Sequence, residues 1–596
     1  MGGKRNRLLW SGTTSWLDEF RLEFSRRASS STNSGDAAAV LAAVGVGLRH
    51  LVSREQWDRF AVSGTSHLMA ISGLHVGLAA MAAFLAAFAV LGVFPGCRNN
   101  YILAVTVGMA FAALYALVSG FGIPARRAVV MLLVAALAFS RRRQVDPVAA
   151  VSLAAVAVFL PDPVATMAPG FHLSFAAVAA LLWLAKRKPM AQPASRLLEA
   201  PRQLLIMQLF LLFGLLPLTA LIFQRFAIIA TPVNFVAVPV FSLVTVPLTL
   251  AGLAVGEISE ATAVFLLKTA AHSVDALDWF IKRMASLPFA DMRLAKIEGA
   301  AWLVVFLPIS WVVLPKGWPG RQLALLGVIA IVTWRPALPP TGCFDAWVLD
   351  VGQGLAVAVQ TREGVMLFDT GMAWRSGGSV ASQSILPFLS SRRIRYIDWL
   401  LVSHNDLDHS GGVDVIRESL TVGSVVAGER LGSGSDRQCR AGDRWTSAKV
   451  DFEVLHPGEV DPGAGNASSC VVRVSAGPHG LLLTGDIEAE SERELVQGSA
   501  QLASNIVVVP HHGSMTSSTV PFIDSVRPDF ALVSAGYGNR WGFPKPRVVE
   551  RWQAAGAEVL STASSGAVYF RVCATDGVVA VRQERELRRR FWHAET

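Results

Sequence analysis

The sequence predicts a polytopic α-helical membrane domain followed by a layered α/β domain. Three observations carry this reading. Of 596 residues, 52% are hydrophobic and only 16% charged, with a mean hydropathy of +0.45; a soluble chain carries about 25% charged residues. From about Leu68 to Pro336, long apolar runs recur between short polar breaks. After "RPALPPTG" (Arg335–Gly342) the pattern changes to short β-rich runs alternating with helical stretches, which indicates strands and helices in layers.

Residues 1–66 are a mixed apolar and charged approach, expected to form amphipathic extracytoplasmic helices. The opening residues lack the apolar core of a secretory signal. The membrane domain, 67–338, holds ten candidate segments: 68–94, 101–119, 125–140, 145–160, 171–185, 203–223, 228–255, 260–281, 300–315 and 320–336. A spanning helix needs about 20 mostly apolar residues, so the third and fourth are the weakest. The segment 260–281 carries Lys268, His272, Asp275 and Asp278 and fits an interfacial amphipathic helix as well as a span. Basic clusters at Arg141–Arg143, Lys186–Lys188 and Lys316–Arg321 fall on one side if all ten segments cross. That side is the cytoplasm by the positive-inside rule, which leaves everything after residue 340 outside.

The net charge of +9 is in part what cytoplasmic loops require. It permits a nucleic-acid partner without demanding one. The five cysteines (Cys97, Cys343, Cys439, Cys470, Cys573) are scattered and odd in number. They read as neither a disulfide framework nor a CxxC site.

In the last domain, 343–596, apolar runs end repeatedly in metal-capable side chains. "WLLVSHNDLDHSGG" supplies His404, Asp406, Asp408 and His409. "LLLTGDIE" supplies Asp486, "VVVPHHGS" supplies His511 and His512, and "VMLFDTG" supplies Asp369. Strand C-terminal ends are where open α/β sheets place their sites. Imidazole and carboxylate donors suit zinc or manganese, and a two-metal site needs a bridging group, for which Asp486 is the natural candidate. Asp408 and His409 turn to one ion while His404 and Asp406 serve the other. A lone His-x-Asp reads better as a polar turn reversed at Gly411–Gly412; repetition at several strand ends favours a metal site. His456, His479 and His593 lack that context and read as ordinary loop or surface histidines.

The motif set over residues 344–572 resembles the metallo-β-lactamase-fold hydrolases, whose signature is HxHxDH followed by later ligands. The resemblance implies an αββα sandwich and two divalent metal ions. Asp406 stands where the second histidine usually is, and Asn466 in "GNASSC" is the candidate for the third. More carboxylate favours harder ions such as Mn²⁺, so manganese and zinc both stay open. Within that superfamily, "LDVGQGLAVAV", "LFDTG", "SHNDLDHSGG", "LLLTGDIE", "PHHGS" and "SAGYGNRWGFPKP", in this order, resemble the C-terminal domain of the ComEC competence family. Many members have a histidine near the position of Phe543. "GTSHLMAISGLHVG", "GFGIPARRAVVM" and "GFHLSFAAVAAL" resemble its membrane domain. The family's small N-terminal β-barrel module is not found in this sequence.

This resemblance implies an inner-membrane channel for single-stranded transforming DNA. It also implies an extracytoplasmic nuclease acting on the other strand. Partners implied with it are single-stranded DNA, the lipid bilayer, a DNA receptor and a helicase-like motor. Asp408 and Asp486 are expected to bridge metals or position water, with His404, Asp406, His409, His511 and His512 as ligands. Asp350, Asp369 and Asn466 are expected to orient those ligands. His67, Ser72, His75, Arg126 and Arg127 are the candidates for a DNA path, since basic residues at a pore mouth attract phosphates. The alternative is a membrane-anchored envelope phosphodiesterase acting on a non-nucleic substrate.

Overall fold

The computed structural model describes residues 15–69, 71–93, 100–140, 146–187, 196–288, 290, 292–297, 299, 301–303, 323–374, 378–432, 434–458, 465–498 and 501–590. The chain forms two compact units, one ending at Trp334 and the other beginning at Arg335.

The first unit is helical. Helix α1 (Trp16–Ser30) is capped by Ser15, and α2 (Gly35–Val46) is capped by Ser34 and closed by Gly47 at φ 83°. Of α2's twelve residues, ten are buried. Unlike the amphipathic approach expected of this stretch, its all-round Ala and Val surface packs against α1 and the helices described below. Helices α3 (Arg54–Val62), α4 (Gly73–Gly92), α5 (Asn100–Val118), α6 (Ile123–Ser140), α7 (Pro147–Phe159), α8 (Pro169–Arg187) and α9 (Arg196–Phe223) follow. The next are α10 (Ala230–Val255), α11 (Glu260–Ala285) and α12 (Leu323–Thr333). A two-residue pairing joins β1 (Arg225–Phe226) to β2 (Met292–Arg293).

Among the described residues, four helices are long and apolar enough to cross a membrane: α4, α5, Pro201–Phe223 within α9, and α10. These correspond to the first, second, sixth and seventh predicted segments. Helix α7 has 13 residues, a rise of about 20 Å, short of a hydrocarbon core of about 30 Å. Helix α11 buries Ala263, Leu267, Ala270, Val274 and Leu277 at helical spacing; Lys268 and His272 are exposed, while Asp278 is buried and pairs with Arg59 and Lys282. Arg141–Arg143, Lys188 and residues 304–322, with most of the ninth segment, lie outside the described residues. The chain is a multi-pass membrane protein.

The second unit is a four-layer αββα sandwich. One sheet runs β17-β16-β3-β4-β5-β6-β7-β8 and the other β15-β14-β13-β12-β11-β10-β9. The strands are β3 (Cys343–Val348), β4 (Val357–Gln360), β5 (Val365–Phe368), β6 (Tyr396–Val402), β7 (Thr421–Ala427), β8 (Arg437–Gln438), β9 (Arg444–Ser447), β10 (Val450–His456), β11 (Val471–Ala476), β12 (His479–Leu483), β13 (Ile506–Val508), β14 (Phe530–Val533), β15 (Glu558–Ser561), β16 (Val568–Cys573) and β17 (Gly577–Gln583). Phe344, Phe368 and Phe570 from one sheet meet Phe452, Leu483 and Leu532 from the other in the central core. The outer faces are covered by helices. Ile385, Leu389, Val413 and Ile416 cover the first sheet; Leu495, Phe522, Val548 and Trp552 cover the second. Strands such as β3, β4 and β11 are buried along their whole length, including Asp345 of β3 and Arg473 of β11.

The cysteines correct the sequence reading. Cys343 is bonded to Cys573 and Cys439 to Cys470. The partners are 230 and 31 residues apart, and pairing of β3 with β16 sets the first two side by side. No sequence spacing records that.

Candidate metal centre

Five strand ends build the centre. Asp369 follows β5 and His404 follows β6, which run parallel in one sheet; Asp486, His512 and Ser534 follow β12, β13 and β14, parallel in the other. Parallel neighbours deliver their C-terminal ends to one edge. His409 sits on a single helical turn, Leu407–Ser410, with Asp406 at its N-cap position. Asp369, His511 and His512 all have left-handed backbones, at φ 60°, 50° and 54°; such strain in non-glycine residues collects at functional sites.

Asp369 is fully buried. Its Oδ1 accepts from Ser403 N at 2.7 Å; its Oδ2 accepts from Ser403 Oγ at 2.8 Å and His409 Nδ1 at 2.7 Å. A carboxylate only accepts, so Nδ1 of His409 carries a proton and its Nε2 faces the cluster. His512 is fixed in the same sense, donating from Nδ1 to Ser534 O at 2.8 Å. Ser403 Oγ, its proton given to Asp369, accepts from His404 Nδ1 at 3.0 Å. All three imidazoles therefore present Nε2 to one space, the arrangement that second partners impose on metal-binding histidines.

Into that space His409 Nε2 comes within 3.3 Å of Asp486 Oδ1 and 3.3 Å of His512 Nε2. His512 Nε2 is 3.5 Å from both Asp486 Oδ2 and Asp408 Oδ2. Asp406 lies 3.5 Å from His404 Nε2 with its side chain 66% exposed. Among the described residues, two groups have donors mutually within 4.8 Å: His404, His409 and Asp486, and Asp408, His409 and His512. Both need the one Nε2 of His409, so two ions can share the space only if another group bridges them. Asp486 turns one oxygen toward each group.

The donor set fits a divalent ion. His404 Nε2 and Asp486 Oδ1 are buried with no hydrogen-bond partner, and orphaned buried polar atoms are costly. Burial opposes charge on His409, but Asp486 and Asp369 hold its imidazole well above the ordinary value. Burial likewise works against ionisation of Asp486 and Asp408, yet the histidines hold both carboxyls below the usual range. The neighbouring His404 imidazole lowers Asp406 as well. The cluster is a buried, carboxylate-rich trap for positive charge.

The remaining predicted residues lie at the margin. His511 Nε2 is 3.9 Å from Asp486, and its Nδ1 lies 3.1 Å from Glu488 and 3.2 Å from Thr516 Oγ1. Asn466 donates to Glu488 Oε1 at 3.4 Å, so its contact is with this margin. Asp350 pairs with Arg585 at 2.8 Å. Ser403, Ser534, Glu488 and Glu429, which accepts from Asn405 N at 2.6 Å, were invisible in the sequence because their roles depend on contacts between distant strands. Gly354 also serves the site. At φ 120°, a side chain there would come within 2.3 Å of Asp408 O. His456 is a correction: it is buried, closes β10 and bonds Ser469 O through Nδ1 at 3.0 Å. His479 is half-buried and bonds Asn505; His593 lies outside the described residues.

In the helical unit, Ser72 caps α4 and shares a capping box with fully buried His75. Buried Arg127, on α6, sits 5.4 Å from the Phe175 ring and beside Gly73. Arg126 pairs with Asp162 at 3.4 Å. His67 is exposed and bonds Gly64 O. Ser72, His75 and Arg127 are thus brought to one helix junction.

Comparison with known proteins follows both units. A family model described as Competence protein matches residues 45–319, and one described as Metallo-beta-lactamase superfamily matches residues 349–537. The chain is 34% identical to "Competence protein ComA" of Neisseria gonorrhoeae over 95% of its length and 80% of that protein's. It is 30% identical to "Recombination protein 2" of Haemophilus influenzae, covering 93% of this chain and 74% of that one. With "ComE operon protein 3" of Bacillus subtilis the identity is 27%, covering 90% and 71%. The order of the two matched regions, with likeness sustained across both, shows that this chain belongs to the ComA/ComEC-like competence protein family, a competence membrane region followed by a metallo-β-lactamase domain.

Proposed function

We propose that this chain carries single-stranded DNA across the bacterial inner membrane. Its C-terminal unit, outside the cytoplasm, hydrolyses the strand that is not taken up. Family membership supports a general role in DNA uptake. The hydrolase reading rests on one observation: three buried imidazoles, each held from behind, turn Nε2 toward Asp486 and Asp408. Two disulfides in the same unit support the extracytoplasmic side, since such bonds persist in oxidising compartments.

The metallo-β-lactamase fold implies divalent metal binding. His404, Asp406 and Asp486 would hold one ion, and Asp408, His409, His512 and Asp486 a second, with zinc or manganese as the metal. Bound there, the ions would lower the pKa of a water and neutralise charge on the phosphodiester. The chain supplies the rest. Asp369 and Ser534 hold ring orientation. His511, half-buried and bonded to Glu488, is placed to take a proton from the attacking water or return one to the leaving oxygen. In the membrane, buried His75 and Arg127 support an aqueous path, because ionisable groups within a bundle face interior or water.

The test uses the full chain in detergent with labelled oligonucleotides. Cleavage should stop with EDTA, return with Mn²⁺ or Zn²⁺, and be lost in Asp408→Ala. A folded Asp408→Ala protein cleaving at the wild-type rate refutes the metal assignment. In cells, DNA entry should fail in Arg127→Ala and His75→Ala; unchanged uptake removes those residues from the path.

A further inference from the structure

The loop between β14 and the helix Pro546–Ala554 runs along the edge that holds the metal cluster. Its Phe543 ring centre lies 6.0 Å from that of His511 and 6.5 Å from that of His512. Lys545 N donates to Gly513 O at 3.0 Å, tying the loop to the histidine turn. The loop is held from within by Asn539. The amide nitrogen of Asn539 donates to Gly536 O at 2.9 Å and Phe543 O at 2.7 Å, while its oxygen accepts from Phe543 N at 2.9 Å. On this fixed frame Tyr537 is 65% and Trp541 39% exposed. Cations accompany the rings: Arg540 lies 4.2 Å from the Trp541 ring centre, and Lys545 lies 5.5 Å from that of Phe543.

Rigid exposed rings interleaved with cations, beside a centre suited to phosphodiesters, match the needs of an unpaired strand. Every base has a flat face to stack, and its phosphates need neutralising. In a duplex those faces are already covered by neighbouring bases. We infer that the loop is a base-stacking platform: Tyr537 and Trp541 take the faces of unpaired bases while Arg540 and Lys545 meet the phosphates. The platform presents a single strand, or a frayed end, to the cluster. This inference rests on the nucleic-acid reading of the site.

Fluorescence anisotropy on the full chain in detergent, with EDTA to prevent cleavage, tests it. The probes are a short labelled single strand, its duplex, and an abasic strand of equal length. Wild type should bind the base-bearing strand most tightly. Tyr537→Ala/Trp541→Ala should weaken that binding by roughly 5- to 100-fold per stacked base and leave the abasic strand unchanged. Trp541→Phe should retain most of the affinity, and Arg540→Ala should weaken both strands. A double variant that binds the base-bearing strand as wild type does, or loses affinity equally for the abasic one, overturns the platform alone. Wild type that binds none of the three probes overturns the nucleic-acid reading and the platform with it.

Discussion

Replacing Asp369 by Asn tests how the cluster is held without touching a proposed ligand. The Asp369 carboxylate is fully buried and accepts three hydrogen bonds of 2.7–2.8 Å. The amide keeps the shape but must turn an NH₂ toward either Ser403 N–H or His409 Nδ1. Toward Ser403 N, two donors face each other in a buried place. Toward His409, Nδ1 must become the acceptor, which moves the ring proton to Nε2. That proton then occupies the direction of Asp486 Oδ1, 3.3 Å away, and the lone pair available to an ion is gone. Loss of a charge-assisted bond costs about 1.5–3 kcal/mol of stability. Partners of this kind are worth about 10–100-fold in metal affinity, or about 1.4–2.8 kcal/mol. Zinc titration by calorimetry on the full chain in detergent reads the affinity, and oligonucleotide cleavage at saturating metal reads the chemistry. A folded Asp369→Asn protein that binds zinc within threefold of wild type refutes the tautomer argument.

Three further outcomes follow from the same contacts. Gly354→Ala adds a carbon at 2.3 Å from Asp408 O in a left-handed backbone, so cleavage should fall at least tenfold and thermal unfolding of the second unit should move to lower temperature. Removing Cys343–Cys573 as a serine pair opens a 230-residue loop and removing Cys439–Cys470 a 31-residue loop. Chain entropy puts these at about 5 and about 4 kcal/mol, and denaturant unfolding that ranks them in reverse contradicts the estimate. Burial, and then Asp345, push the Tyr569 phenol from 10.0 up to about 12. The fold favours the neutral phenol, so its contribution is complete below pH 10 and lost as pH rises through about 12. Tyr569→Phe should flatten that part of the alkaline unfolding curve, and an unchanged slope counts against it.

Much of the candidate site was legible because its side chains sit immediately after apolar strands, and both features are local in sequence. His404, Asp408, His409, Asp486 and His512 meet in the structure as that pattern implies. The pattern could not separate His511 from His512. Two successive left-handed residues, His511 at φ 50° and His512 at φ 54°, turn one ring into the cluster and leave the other at its rim. Asp350 also stands at a strand end, but its partner Arg585 comes from beyond β17, 235 residues later. In the membrane region, apolar composition marks helices without measuring them. Helix α7 shows this: its run is apolar enough, but only 13 residues are helical.

The sequence by itself determined which half of the chain is apolar enough to meet lipid, and which strand ends carry metal-capable side chains. Hydropathy and side-chain type are properties of single residues and short runs. Only the tertiary structure decided what those residues do to one another. Pairing of β3 with β16 joined Cys343 to Cys573. The parallel pairing of β5 with β6 let Asp369 fix the proton of His409, 40 residues away. Contacts between distant strands are set by the whole folded chain, because each forms only when many apolar faces are buried together. No local stretch of sequence carries that information.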